Sequence, residues 1–353
     1  MFSKTLIFIF HLIFATSHLK QQVVKKGKES PKLVLLDVQD LIVHYATLRG
    51  PVRAVEGVDF QVDKGDALGL AGESGCGKTT VALSILRLLP TAGKIIDGKI
   101  LFNAQDMVRL PEDEVRKNIR WKGISIVFQG AMNALNPVYK VGDQIVEAIL
   151  THEPEVGRNQ ATDRTHKLLE MVGVDPERAN NYPFEFSGGM RQRALIAMAL
   201  ACNPQLLIAD EPGTALDVIV QAQVLKLLRE LKSKLNLAMI LITHDLSIIA
   251  ETCGKTAIMY AGKIAEYGSV VSIFKEPLHP YTQGLLGAFP SIRAAKTRMI
   301  SIPGSPPDLL DPPAGCRFHP RCPFAMDICK KKEPELAEVG GKDGHFVSCY
   351  LVK

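Results

Sequence analysis

The sequence predicts an α/β nucleotide-binding fold, and a few stretches carry that expectation. "DALGLAGESGCGKTTVALSILRLL" reads as strand, glycine-rich loop, helix, which is how an α/β nucleotide-binding unit opens. "PQLLIADEP" and "LAMILITHD" are short, continuous apolar runs, the pattern of strands buried on both faces of a parallel sheet. Between them "VIVQAQVLKLLRELKSKLN" has the apolar spacing of an amphipathic helix.

The remaining elements follow in chain order. Residues 1–31 start with an apolar run from about Leu6 to Phe14 behind one lysine, which resembles a secretory signal. The run is shorter than the roughly 20 apolar residues a spanning helix needs. Export conflicts with ATP chemistry, so a misassigned start or a peripheral apolar tail is expected, followed by the polar tether "KQQVVKKGKESPK". The nucleotide-binding domain is expected over 32–275. It opens with strands in "KLVLLDVQDLIVHY" and "AVEGVDFQV". A helical subdomain is expected over about 138–190, from "VGDQIVEAIL" and "ATDRTHKLLEMVGV". A C-terminal extension, 276–353, begins with the proline-rich linker "SIPGSPPDLLDPPAG". At 353 residues the chain is long enough for a full core, and its formal charge of +5 is spread over scattered lysines and arginines. No basic stripe tracks a phosphate backbone, so nucleic acid is not an expected partner.

The glycine-rich loop is Gly72, Glu73, Ser74, Gly75, Cys76, Gly77, Lys78 and Thr79, with Thr80 next along the helix. Glycines let successive backbone N–H groups turn onto phosphate oxygens, and the helix N-terminus adds its positive end. Lys78 is expected to reach the β- and γ-phosphates and Thr79 to hold Mg²⁺. Asp210, ending the run "LLIAD", is expected to bind Mg²⁺ through water. Glu211, one residue on, is placed to orient or deprotonate the attacking water. His244 in "LITHD" is positioned for the γ-phosphate, and Cys76 is expected to fill a small space without reacting.

With these residues stand "FSGGMRQR", containing Ser187, Gly188, Gly189 and Met190, then Gln129 in "IVFQ" and "TALD" ending at Asp217. Motifs in this order and spacing resemble those of ABC transporter ATPases. "FQGAMNALNP", "HPYTQGLL" and "IPGSPPDL" before a cysteine cluster look like the branch that serves peptide and nickel importers and some oligosaccharide importers. The resemblance implies an ABC-type P-loop domain with an antiparallel β region, a helical signature subdomain and a C-terminal cysteine-rich extension. It implies a second, identical or homologous cassette closing head to tail, so that Ser187–Met190 meet the partner's ATP. It implies Tyr45 stacking on adenine, Gln129 linking the γ-phosphate and Mg²⁺ to the helical insert, His244 as switch histidine and Asp217 in the D-loop. Two permease subunits and an extracytoplasmic solute-binding protein would complete an importer, with this ATPase on the cytoplasmic face of the membrane. Gly213 departs from the pattern, which more usually has Thr or Ser there.

Cys316, Cys322, Cys329 and Cys349 gather in the last forty residues or so. A reducing compartment disfavours disulfides. Their spacing lacks the tight pairs of zinc sites, and Pro323 after Cys322 resembles the Cys-Pro step of ferredoxin runs. The resemblance points to a [4Fe-4S] cluster as well, with zinc and then plain thiols as alternatives. Rival readings are a soluble ABC ATPase of DNA repair or translation, which usually carries two cassettes or a coiled coil, and a redox-sensing regulator with a degenerate cassette.

Overall fold

The computed structural model describes residues 33–130, 134–287, 302–340 and 344–352. The apolar start and its tether, 1–31, lie outside the described residues. The chain runs β1 (Val34–Thr47), β2 (Gly50–Asp63), β3 (Ala67–Ala71), α1 (Lys78–Ile85), β4 (Gly93–Phe102), β5 (Gln105–Asp106) and β6 (Ile124–Val127). Three helices follow, α2 (Val141–His152), α3 (Arg158–Met171) and α4 (Gly188–Ala199). Then come β7 (Leu206–Asp210), α5 (Val218–Leu235), β8 (Ala238–Ile242), α6 (Leu246–Thr252), β9 (Lys255–Tyr260) and β10 (Lys263–Ser269). The tail holds α7 (Val270–Lys275), α8 (Pro280–Gly287), α9 (Asp327–Lys331), β11 (Ala337–Glu338) and β12 (Phe346–Val347).

β1 and β2 form a long hairpin that continues through β4 and β5 as an antiparallel sheet. The larger sheet has the order β11-β12-β10-β9-β3-β8-β7-β6, and β9, β3, β8, β7 and β6 run parallel. Every residue of β3, β7 and β8 is buried, which is why these runs are apolar without alternation. Successive side chains still face opposite ways. Leu68, Leu70, Leu206, Ile208, Ile240 and Ile242 pack with the antiparallel sheet and α1. Ala67, Leu207, Ala209, Met239 and Leu241 pack with the helical segment and α5. Gly69 sits where a Cβ would come within 2.6 Å of Ile249, so α6 lies directly on β3.

The ends of the parallel strands converge on one edge, where α/β sheets bind ligands. Side-chain caps set the starts of α4, α5 and α6. Ser187 accepts from Met190 N, Asp217 from Ile219 N and Val220 N, and Asp245 from Ser247 N; each such cap is worth about 1 kcal/mol.

The proline-rich stretch and the cysteine segment pack on the nucleotide-binding domain. Arg53 N donates to Leu309 O, and β12 pairs with β10. At this seam Glu266, fully buried, accepts from Leu278 N, His279 N and the His345 ring. Replacing His345 by Ala leaves that carboxylate short of one partner and should lower the unfolding free energy of the chain by about 2–3 kcal/mol in a denaturant titration.

Candidate active site

The loop Gly72–Thr79 joins β3 to α1 through three left-handed glycines, Gly72, Gly75 and Gly77. A Cβ on Gly72 would run into the Met259 carbonyl and one on Gly77 into the Ala54 carbonyl, so only glycine lets the loop curl so tightly. Lys78 is buried, and its Nζ donates to Gly72 O and Glu73 O at 2.8 Å. Cys76 is buried beneath the loop, where burial pushes its thiol pKa up against the pull of Lys78. A neutral thiol packs without reacting.

Tyr45, Ser74, Gly75, Gly77, Lys78, Thr79, Thr80, Gln129, Asp210 and Glu211 line one cleft, with Val52, Ala54 and Leu309. Tyr45 Oη lies 3.3 Å from Thr80 Oγ1. Thr79 Oγ1 donates to Asp210 Oδ2 at 2.7 Å. The other Asp210 oxygen, Oδ1, is buried with no hydrogen-bond partner. Burial is the main force raising the Asp210 pKa, helped by the Glu211 charge and opposed by Thr79 and Lys78. An unpartnered buried carboxylate oxygen beside a threonine hydroxyl fits a hard divalent cation such as Mg²⁺, whose charge offsets that burial.

Glu211 follows β7 in a left-handed conformation, φ 45°. Its carboxylate accepts from Gln129 Nε2 and Thr214 Oγ1 at 2.8 Å each, and His244 Nδ1 lies 3.0 Å away. Burial raises its pKa, but the hydrogen bonds of His244 and Thr214, and then the charges of His244 and Lys78, outweigh it and hold the carboxyl below the usual glutamate range. Gln129 therefore stands at Glu211. Thr214 went unassigned at the sequence level, although it lies inside the quoted "TALD". Gly213 leaves room for Gln221, whose Cγ and Cδ would collide with a Cβ there.

Ser187, Gly188, Gly189 and Met190 do not line this cleft. They open α4, and Gly189 packs so close that a Cβ would come within 2.6 Å of Val220 on α5. Asp217 serves as the α5 cap.

Cys316, Cys322, Cys329 and Cys349 line a common apolar pocket with His279 and Phe318. All are free thiols. Burial, and then neighbouring thiols, push Cys316 up to about 11 and raise Cys322 and Cys349. Among the described residues no group of three or more His, Cys, Asp or Glu is arranged to hold a metal ion. The expected [4Fe-4S] cluster and the zinc alternative are therefore not supported by a preformed ligand set.

Residues 55–214 match the ABC transporter family, and residues 265–329 match the oligopeptide/dipeptide transporter C-terminal region. The chain belongs to the ABC transporter ATPases. Within that family it falls among relatives described as peptide-transport ATP-binding proteins. A probable peptide ABC transporter ATP-binding protein of Sinorhizobium fredii is 47% identical over 92% of this chain and 97% of its own length. The dipeptide transport ATP-binding protein DppD of Bacillus subtilis is 47% identical over 90% of this chain and 94% of its own. Among solved structures, the cassette MJ0796 in a dimeric post-hydrolysis state bound to ADP and phosphate superposes with a TM-score of 0.60 at 25% identity. That match covers 67% of this chain and 99% of the other. Among the described residues no helix is long and apolar enough to cross a membrane.

The Glu211 geometry fixes the sign of one titration. Replacing His244 by Ala removes a donor and a positive neighbour that favour the ionised carboxyl, so Glu211 should protonate at higher pH than in the wild-type chain. Carboxyl-carbon NMR across pH 3–7 reads this directly, and an unmoved titration would contradict the geometry.

Proposed function

We propose that the chain is the ATP-hydrolysing subunit of a membrane importer for oligopeptides or dipeptides. It works on the cytoplasmic face in a head-to-tail pair of cassettes with two permease subunits, fed by an extracytoplasmic solute-binding protein. The observation that carries the reading is Glu211, tied to Gln129 and His244 beside Lys78, Thr79 and Asp210. The cargo reading rests on the peptide-transport relatives and the matched C-terminal region. Nickel or oligosaccharide cargo is the alternative.

Lys78 exchanges the Gly72 and Glu73 carbonyls for the β- and γ-phosphates, and the loop amides and the α1 N-terminus hold the remaining oxygens. Thr79 and Asp210 hold Mg²⁺, which when bound neutralises phosphate charge. Tyr45 stacks on adenine. Glu211 Oε1 accepts one hydrogen bond, from His244, and keeps a lone pair for water. That water attacks the γ-phosphorus, the bond to the bridging β–γ oxygen breaks, and its proton passes to the Glu211 carboxylate. Because Ser187–Met190 lie away from their own chain's cleft, they are free to meet the ATP of a partner cassette. ATP then favours the closed pair and its hydrolysis releases it. Gln129, touching Glu211 and leading into the helical subdomain, links this chemistry to the face the permeases press against.

The four C-terminal cysteines are proposed as [4Fe-4S] ligands, supported by their sharing one apolar pocket. No catalytic step passes through the cluster. An anaerobic preparation should contain iron and acid-labile sulfide; a colourless one with stoichiometric zinc would overturn this.

Replacing Glu211 by Gln should cut turnover by roughly 10²–10⁴ while ATP binding persists and a closed dimer accumulates on a sizing column. Undiminished steady-state hydrolysis would remove Glu211 from its role. Gly188→Asp should leave ATP binding by the single chain intact and stop hydrolysis by the assembled pair. Loss of binding by the single chain would instead break the head-to-tail reading.

A further inference from the structure

The phosphate loop is held from the C-terminal segment as well as from β3 and α1. Arg321 donates to both carboxylate oxygens of Glu73, the second residue of the loop, at 2.6 and 3.0 Å. Its guanidinium is almost wholly buried while the Glu73 side chain is about a quarter exposed. It also lies over the Tyr260 ring, donates to Pro303 O and lies 3.3 Å from Tyr260 Oη. The backbone of the same Glu73 is fixed on both sides. Its N–H donates to Tyr281 Oη at 2.9 Å, and its carbonyl accepts from Lys78 Nζ. Tyr281 is itself fully buried against Tyr260 and Phe318.

Arg321 is carried on the short turn His319–Arg321 between two of the clustered cysteines. His319 N donates to Cys316 O and Cys322 N to His319 O, so the turn is tied at both ends to those residues. Among the loop residues Gly75, by contrast, has open space where a Cβ would stand. The loop is thus anchored at Glu73, while Gly75, two residues on, lines the cleft with Lys78.

We infer that Arg321 is a positioning residue for the phosphate loop: by gripping Glu73 it sets the loop conformation from which Lys78 engages ATP, so the cysteine segment sets nucleotide affinity. The inference rests on the reading of this loop as the ATP site. A bidentate guanidinium–carboxylate pair fixes orientation as well as distance, and lysine cannot reproduce the fork. Loss of the pair frees the Glu73 carboxylate and with it the carbonyl on which Lys78 rests.

The test is MgATP binding and steady-state hydrolysis by the full chain in five variants, R321A, R321K, E73Q, Y281F and the double variant E73Q/R321A, with K78A as control. R321A should raise the Kd for ATP roughly ten- to hundredfold, with the loss showing in KM for ATP more than in kcat, and R321K should recover part of it. E73Q combined with R321A should cost little more than R321A alone, because both act through one pair. Y281F removes only the acceptor for Glu73 N–H and should also weaken ATP binding, so the idea stays testable if R321A fails to fold. A purely structural Arg321 would lower the melting temperature and leave the Kd of the folded fraction at the wild-type value; that result, or an additive E73Q/R321A pair, overturns the inference. Unimpaired ATP binding by K78A would instead overturn the ATP reading of the loop, a different failure.

Discussion

The structure depends on how tightly the backbone turns between β3 and α1. Gly72 and Gly77 press against the carbonyls of Met259 and Ala54, so the loop wedges between β9 and β2 with no space for a side chain at either glycine. Its curl aims amides and a helix N-terminus at one point, and burying β3 on both faces makes that point rigid. Everything else at the site is placed relative to it. Asp210 reaches Thr79 because β7 and β3 both pair with β8 in one parallel sheet, which brings their C-terminal ends to the same edge.

Around this fixed point the chemistry is distributed over elements far apart in sequence. Glu211 gathers Gln129 from beyond β6, His244 from beyond β8 and Thr214 from its own turn. The result is a carboxylate kept ionised by donors even though burial favours its protonated form. Ser187–Met190 stand at the start of α4, with Gly189 packed on α5, and do not line their own chain's cleft.

Much of this was legible in sequence because it is local. A glycine-rich loop after an apolar strand, an acidic pair at a strand end and an Ser-Gly-Gly helix start each encode their conformation within a few residues. Apolar runs without alternation correctly marked β7 and β8 as doubly buried. The tail was read differently from its structure. Its prolines suggested a linker, yet Leu309 lines the cleft, Arg321 reaches the phosphate loop, and β12 extends the main sheet. No local pattern encodes these contacts, since each joins residues far apart in the chain. The cysteine spacing likewise suggested a ligand set, while the fold brings the thiols to one pocket without arranging three of them around an ion.

The sequence alone determined the class of chemistry, because glycines and a lysine at fixed spacing admit few backbone shapes and those shapes bind phosphate. It also determined where helices begin, through Ser187, Asp217 and Asp245, because a cap acts on its own neighbours. Only the tertiary structure decided which donors hold Glu211, which oxygen of Asp210 stays free, and that Arg321 closes on Glu73. Those outcomes turn on distances of about 3 Å between residues brought together by sheet order and burial, and sheet order is a property of the whole chain.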